Sequence, residues 1–184
     1  MCQAISGVAV YAEGRVTVYT CPDTDSHSDI RERHNIRDGG TAGASRQSPC
    51  ELIPVRGLFD LADMDFAWDA EKPQWATSEI EAECARQLHR AWLARWDADR
   101  RVLDFGGDLY LYSLASLPEG VALSAGGYLD LHSLASLPEG VTLSAGGDLY
   151  LNSLASLPEG VNIRSREMYY RGKWQPAPCG RVRT

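Results

Sequence analysis

The chain has 184 residues and a mass of 20.2 kDa, with 44% apolar and 23% charged residues, a formal net charge of −7 and a pI near 5.1. That composition excludes wholesale disorder, and no run approaches the roughly 18 apolar residues that a membrane span needs. The charge is unevenly spread: residues 1–105 carry 18 acids and 12 bases, residues 106–163 carry 6 acids and no base, and residues 164–184 carry 1 acid and 6 bases.

The first elements predicted are two β-rich runs, Ile5–Tyr11 and Val16–Tyr19, which flank Glu13-Gly14 and read as a hairpin. The apolar stretch from Ala4 has no basic region before it and is cut by Glu13-Gly14-Arg15, which argues against a signal peptide. Ser26 or Ser28 is placed to cap a short helix running to about His34, with Ile30 facing a core. Residues 38–48 are rich in Gly, Ser and Thr and read as a mobile loop, and Leu52–Val55 as a strand. Phe59 and Leu61 fall on one parity and Met64, Phe66 and Trp68 on the other, so a bulge near Ala62-Asp63 is expected. Ser78 and Glu81 suggest a capping box, and Ile80, Cys84, Leu88, Ala91 and Trp92 form the apolar stripe of a long helix. That helix is expected to pack on the N-terminal sheet, with Trp96 near the junction to the second half of the chain.

From Gly106 the chain repeats every 20 residues, three times, with Ser-Leu-Ala-Ser-Leu-Pro-Glu-Gly unchanged from Ser113, Ser133 and Ser153. Leu109 and Leu111 alternate with Asp108, Tyr110 and Tyr112, and Val121 with Leu123, so each unit predicts two short strands with one leucine face. Pro118 and Gly120 break the chain between the strands, and Gly126-Gly127 turns it into the next unit. One unit cannot bury its leucines alone; stacked units can, in ladders at the strand spacing of about 4.8 Å. Arg101–Phe105 reads as a worn copy of a repeat end, with Leu103 in the place of Leu123. The fold class predicted is an α+β N-terminal domain (1–100), a short three-coil β-solenoid (101–165) and a basic, aromatic C-terminal cap or tail (166–184).

The units Gly106-Gly107-Asp108-Leu109-Tyr110-Leu111 and Ser116-Leu117-Pro118-Glu119-Gly120 resemble the bacterial leucine-rich-repeat-like family, whose members often lie in prophages and mobile elements. Ser113, Ser133 and Ser153 stand near the place of that family's Asn ladder, a departure from the standard horseshoe. The resemblance covers residues 101–165 and implies an interaction module.

Apart from the end of the last unit, the coils differ at positions 108/128/148, 110/130/150, 112/132/152 and 122/142/162, all outward-facing by the alternation. Asp108, Tyr110, Tyr128, Asp130, Asp148 and Tyr150 then form a patch of acids and aromatics, and tyrosine offers contact area at low entropy cost. Asp60, Asp63, Asp65 and Asp69 open a second acidic stretch, which continues to Glu83 with Lys72 as its one base. Both zones repel phosphate, so direct nucleic-acid binding through them is not expected; they suit a basic, nucleic-acid-binding groove on another protein. Glu119, Glu139 and Glu159 should stack along one edge. Arg164, Arg166, Tyr169, Tyr170, Arg171, Lys173 and Trp174 could cover the last coil or stack on RNA or DNA.

Catalytic patterns are sparse. No Gly-x-Ser-x-Gly elbow, Walker loop or His-Glu-x-x-His occurs, and Cys21 and Cys50 have no identifiable base. His27 and His34 lie two turns apart near Cys21 and Asp25, the best place for a metal or acid–base pair. Five scattered cysteines without a Cys-x-x-Cys pair suggest a reduced, cytoplasmic protein. The function expected is non-enzymatic: a phage- or prophage-type inhibitor of a host protein, in an anti-CRISPR or other anti-defence role, with no cofactor, no metal and no membrane contact. The alternatives are an enzyme with its site in the N-terminal domain and the solenoid as targeting arm, or a structural or assembly protein.

Overall fold

Glu13 and Gly14 both adopt positive φ (51° and 76°), the tight turn whose twist matches its flanking strands, and so join β1 (Ile5–Ala12) to β2 (Arg15–Tyr19). The computed structural model describes residues 5–37, 46–178 and 180–181. On the other side of β1 lies β3 (Gln47–Pro54), followed by β4 (Met64–Trp68), giving an antiparallel sheet of order β2-β1-β3-β4. Most of the predicted loop, residues 38–45, lies outside the described residues, but Gln47 and Ser48 are buried in β3, which starts well before Leu52. The parity change expected as a bulge is a 3-10 turn at Leu61–Asp63, capped by Asp60, whose carboxylate accepts Ala62 N at 2.9 Å.

Helix α1 (His27–Arg33) is capped by Ser26, which accepts from Asp29 N. Helix α2 (Ser78–Leu93) is capped by Thr77 and not by the expected Ser78–Glu81 box. Glu81 is engaged elsewhere: its Oε1 accepts Trp68 Nε1 at 2.8 Å and meets Lys72 Nζ at 2.9 Å. The two helices lie on opposite faces of the sheet. Cys84, Leu88 and Trp92 of α2 join Ile5, Ala9, Cys50 and Leu52 in one core, while Ile30 of α1 packs with Val8 and Cys21. Gln87 on α2 also satisfies the outer edge of β2, accepting Val18 N at 2.8 Å and donating to Val16 O at 3.0 Å.

After α2, β5 (Trp96–Asp97) pairs antiparallel with β6 (Val102–Phe105), and the coils begin. Each coil contributes one strand to each of two parallel sheets. The first sheet holds β6, β8 (Ala122–Ala125), β10 (Thr142–Ala145) and β12 (Asn162–Arg164). The second holds β7 (Leu109–Tyr110), β9 (Leu129–Asp130), β11 (Leu149–Leu151) and β13 (Glu167–Tyr170). Registers follow the repeat: Leu103 faces Leu123, Leu123 faces Leu143, and Leu109 faces Leu129, which faces Leu149. These leucines are fully buried, and Leu114 and Leu117 point inward with them. The region is a β-solenoid of about three turns in a chain that is mostly β-sheet, with two α-helices among the described residues.

Two glycine positions explain why the turns do not vary. Gly120, Gly140 and Gly160 sit at φ of 63°, 70° and 85°, where an L side chain is strained. A Cβ on Gly126 would overlap the carbonyl oxygen of Gly106, and one on Gly146 that of Gly126, so the coils could not stack as closely. Beyond the last coil, β14 (Lys173–Pro176) runs antiparallel to β13 through the turn at Arg171-Gly172 (φ 52° and 76°), and β15 (Gly180–Arg181) runs antiparallel to β12. The sheet and the coils share a continuous apolar core, and Ala115 N donates to Val55 O at 2.8 Å across their junction. No helix among the described residues is long and apolar enough to cross a membrane.

Candidate functional site

Pleating sends Leu109, Leu129 and Leu149 inward and leaves the intervening positions of the second solenoid sheet on its outer face. Along that face Tyr110 and Tyr112 lie 5.3 Å apart between ring centroids, and Tyr112 lies 5.0 Å from His132. A second ring cluster spans the later coils: Tyr150 contacts Tyr128 at 6.5 Å, Tyr169 at 6.4 Å and Trp174 at 5.4 Å. Tyr128 and Trp174 are the most open members, 38% and 48% exposed. Burial, then the nearby Asp108, pushes the Tyr110 hydroxyl up, and burial with Asp130 pushes Tyr112 up to about 12. Both hydroxyls are therefore protonated donors at neutral pH. Trp174 enters this face from β14, a contribution the repeat could not reveal.

The acids on the same face are engaged within the molecule. Asp108 accepts Tyr128 N at 2.7 Å and the Tyr110 hydroxyl at 3.1 Å. Asp130 accepts His132 N at 3.0 Å and lies 3.0 Å from His132 Nδ1; burial raises its carboxyl above the usual range. Asp148, expected to face outward, is buried and takes both Nε and Nη2 of Arg166, at 3.0 and 2.8 Å. The face thus presents aromatic rings and hydroxyls more than free carboxylates. Glu119, Glu139 and Glu159 are exposed on successive coils at the Pro-Glu-Gly turns.

The second acidic stretch is divided by β4. Asp60 and Asp63 precede it, the former capping the 3-10 turn and the latter 3.4 Å from Arg56 Nε. Asp65 is exposed on β4 itself, paired in register with Ile53. Asp69, beyond the strand's other end, has Oδ2 3.1 Å from His27 Nδ1.

The two histidines do not converge. His34 turns to the hairpin, with Nε2 3.1 Å from Thr20 O and 3.9 Å from Cys21 Sγ. His27 turns to the sheet, with Nε2 3.4 Å from Cys50 O, and its burial lowers its pKa and favours the neutral ring. His27 and Asp69, with Asp25, Asp108 and Tyr110, line an open cleft of about 530 Å³ between α1, the sheet and the first coil. Burial and the nearby Asp108 hold the Asp25 carboxyl above its usual range. Cys50 is fully buried, its thiol pushed up by burial, which suits packing and not nucleophilic attack. No family model, curated protein or solved structure matches the chain.

Proposed function

We propose that the protein is a non-enzymatic protein–protein interaction module whose contact surface is the aromatic face of the solenoid. The observation that supports this most is the ring cluster of Tyr128, Tyr150, Tyr169 and Trp174, which spans two coils, β13 and β14, with Tyr128 and Trp174 open to solvent. Rigid aromatics on a stacked scaffold lose little freedom on binding, which is how interface anchors act. In this reading residues 1–100 are an α+β domain that holds the solenoid. Residues 166–184 are its cap, because β14 and β15 lie along the outer strand of each solenoid sheet.

The partner is a basic protein. Residues 106–163 carry no Lys or Arg, and Glu119, Glu139 and Glu159 are exposed at the turns of successive coils. In its most concrete form the protein is a cytoplasmic inhibitor of phage or prophage type that occupies a host's nucleic-acid-binding groove, an anti-CRISPR or other anti-defence role. The resemblance of the repeat to the leucine-rich-repeat-like proteins of mobile elements supports that form.

Affinity capture from a bacterial lysate, at low and at raised salt, addresses this reading. A basic nucleic-acid-binding protein should be retained, be released by salt, and lose its nucleic acid as the purified chain is added. Retention indifferent to salt, or a ternary complex that keeps its nucleic acid, would overturn the inhibitory reading.

A further inference from the structure

Three potential metal-binding side chains meet beside the open cleft, and two of them, His27 and Asp69, line it. His27 opens α1, Glu51 lies in the middle of β3 and Asp69 follows β4, and one ligand atom from each lies within 4.8 Å of the others. His27 and Glu51 are buried, whereas the Asp69 side chain is half-exposed toward the cleft.

The ring of His27 lies between two oxygen atoms. A neutral imidazole has one N–H. Its Nε2 faces the Cys50 carbonyl at 3.4 Å and its Nδ1 faces Asp69 Oδ2 at 3.1 Å, so both neighbours are acceptors. The tautomer with Nε2–H toward the backbone carbonyl directs the Nδ1 lone pair at Asp69 Oδ2, where a cation can be shared. A backbone carbonyl that orients the other ring nitrogen is the usual support of a metal-bound histidine. Metal–ligand bonds of about 2.1 Å set neighbouring ligand atoms roughly 3 to 3.5 Å apart; the His27–Asp69 pair stands at 3.1 Å, and the Glu51 ligand atom lies within 4.8 Å of both.

A second observation comes from the strand beside Glu51. Ser6 pairs in register with Glu51 across β1 and β3, so pleating puts both side chains on the α1 face. Ser6 is only 4% exposed, and its hydroxyl oxygen makes no hydrogen bond among the described residues. Ala67 stands opposite Glu51 on its other side and fills little of the space. The sheet therefore keeps a polar oxygen beside the cluster where an apolar side chain would have packed more favourably.

We propose that His27, Glu51 and Asp69 bind one divalent transition-metal cation, with Ser6 beside them and the cleft as the route of entry. One imidazole nitrogen with two carboxylates suits Zn²⁺ or Mn²⁺ better than Mg²⁺, which favours an all-oxygen set. The cation neutralises the two carboxylates and ties the start of α1 to β3 and to the end of β4. This site is independent of the aromatic face and of the partner proposed for it.

Calorimetric titration of the chelator-treated full chain with Zn²⁺, Mn²⁺ and Mg²⁺, beside thermal melting, tests the site. One saturable Zn²⁺ or Mn²⁺ site per chain is expected, with a raised melting temperature and no comparable effect of Mg²⁺. Asp69→Asn keeps the side chain's shape at a half-exposed place and should weaken binding at least tenfold and abolish the thermal shift. Absence of a saturable site in the wild-type chain, or equal binding by wild type and Asp69→Asn, would overturn the assignment.

Discussion

Asp148 is clamped by Arg166, whose Nε and Nη2 reach its two carboxylate oxygens at 3.0 and 2.8 Å. The same slot holds Asp108 in the first coil, where the carboxylate accepts Tyr128 N, and Tyr128 in the second. One position of the repeat thus performs three tasks, and in the last coil it fastens the segment that leads into β13. A fork-to-carboxylate pair of this kind is geometrically specific, and Lys cannot reproduce it. Arg166→Lys should therefore lower the urea midpoint more than Lys173→Arg does, read by circular dichroism; equal midpoints would contradict the clamp.

The leucine ladders carry the solenoid's stability. Leu129 is fully buried between Leu109 and Leu149, so Leu129→Ala should cost about 2–5 kcal/mol in equilibrium denaturation. Because the apolar core is continuous with that of the N-terminal sheet, tryptophan fluorescence and circular dichroism should report the loss together.

Gly146→Ala is expected to be worse than its propensity suggests. The added Cβ would meet the backbone oxygen of Gly126, which cannot swing aside as a side chain would. Coil stacking should be disrupted, seen as lost protection of Leu129 and Leu131 amides in hydrogen exchange, while Gly14→Ala acts only through its positive φ.

Acidity should act through Asp25. Its carboxyl is raised above the ordinary 3.8 by burial first and by Asp108 next, with Arg95 opposing. The folded state then binds the proton more tightly than the unfolded one, so stability falls as pH rises from about 3.8 through the folded value. Asp25→Asn should accordingly raise the melting temperature at pH 7, and the gain should vanish below pH 3.8. A gain that persists unchanged at low pH would point to packing instead.

Cys50 and Cys84 should resist alkylation in the folded state. Both are fully buried, and desolvation pushes the Cys84 thiol up to about 12 and Cys50 higher still. Mass spectrometry after iodoacetamide treatment should find both unmodified until denaturant is added.

The period of 20 and the alternation of leucines make the solenoid legible, since only stacked coils can bury those leucines. The hairpin at Glu13-Gly14 is equally legible from its turn. The matching signal at Arg171-Gly172 is present too, but the basic and aromatic residues around it mask the strand pair. Thr77 takes the cap because Glu81, the other half of the expected box, lies against Trp68 and Lys72, contacts that arise only in the packed chain. The same holds for the candidate sites. The varying positions reveal the tyrosines, but Trp174 joins them across a strand pair. His27, Glu51 and Asp69 are brought together by three separate elements, so no sequence spacing announces them.

The most direct measurement is the affinity of the captured partner for wild type and for the Tyr128→Ala/Trp174→Ala variant, by calorimetry at matched salt. These are the two most exposed rings of the aromatic face, and anchor aromatics at interfaces typically cost about 2 kcal/mol or more when truncated. A loss of at least tenfold in affinity, with the fold intact by circular dichroism, is expected. Equal affinity in the folded variant would contradict the assignment of the aromatic face as the contact surface.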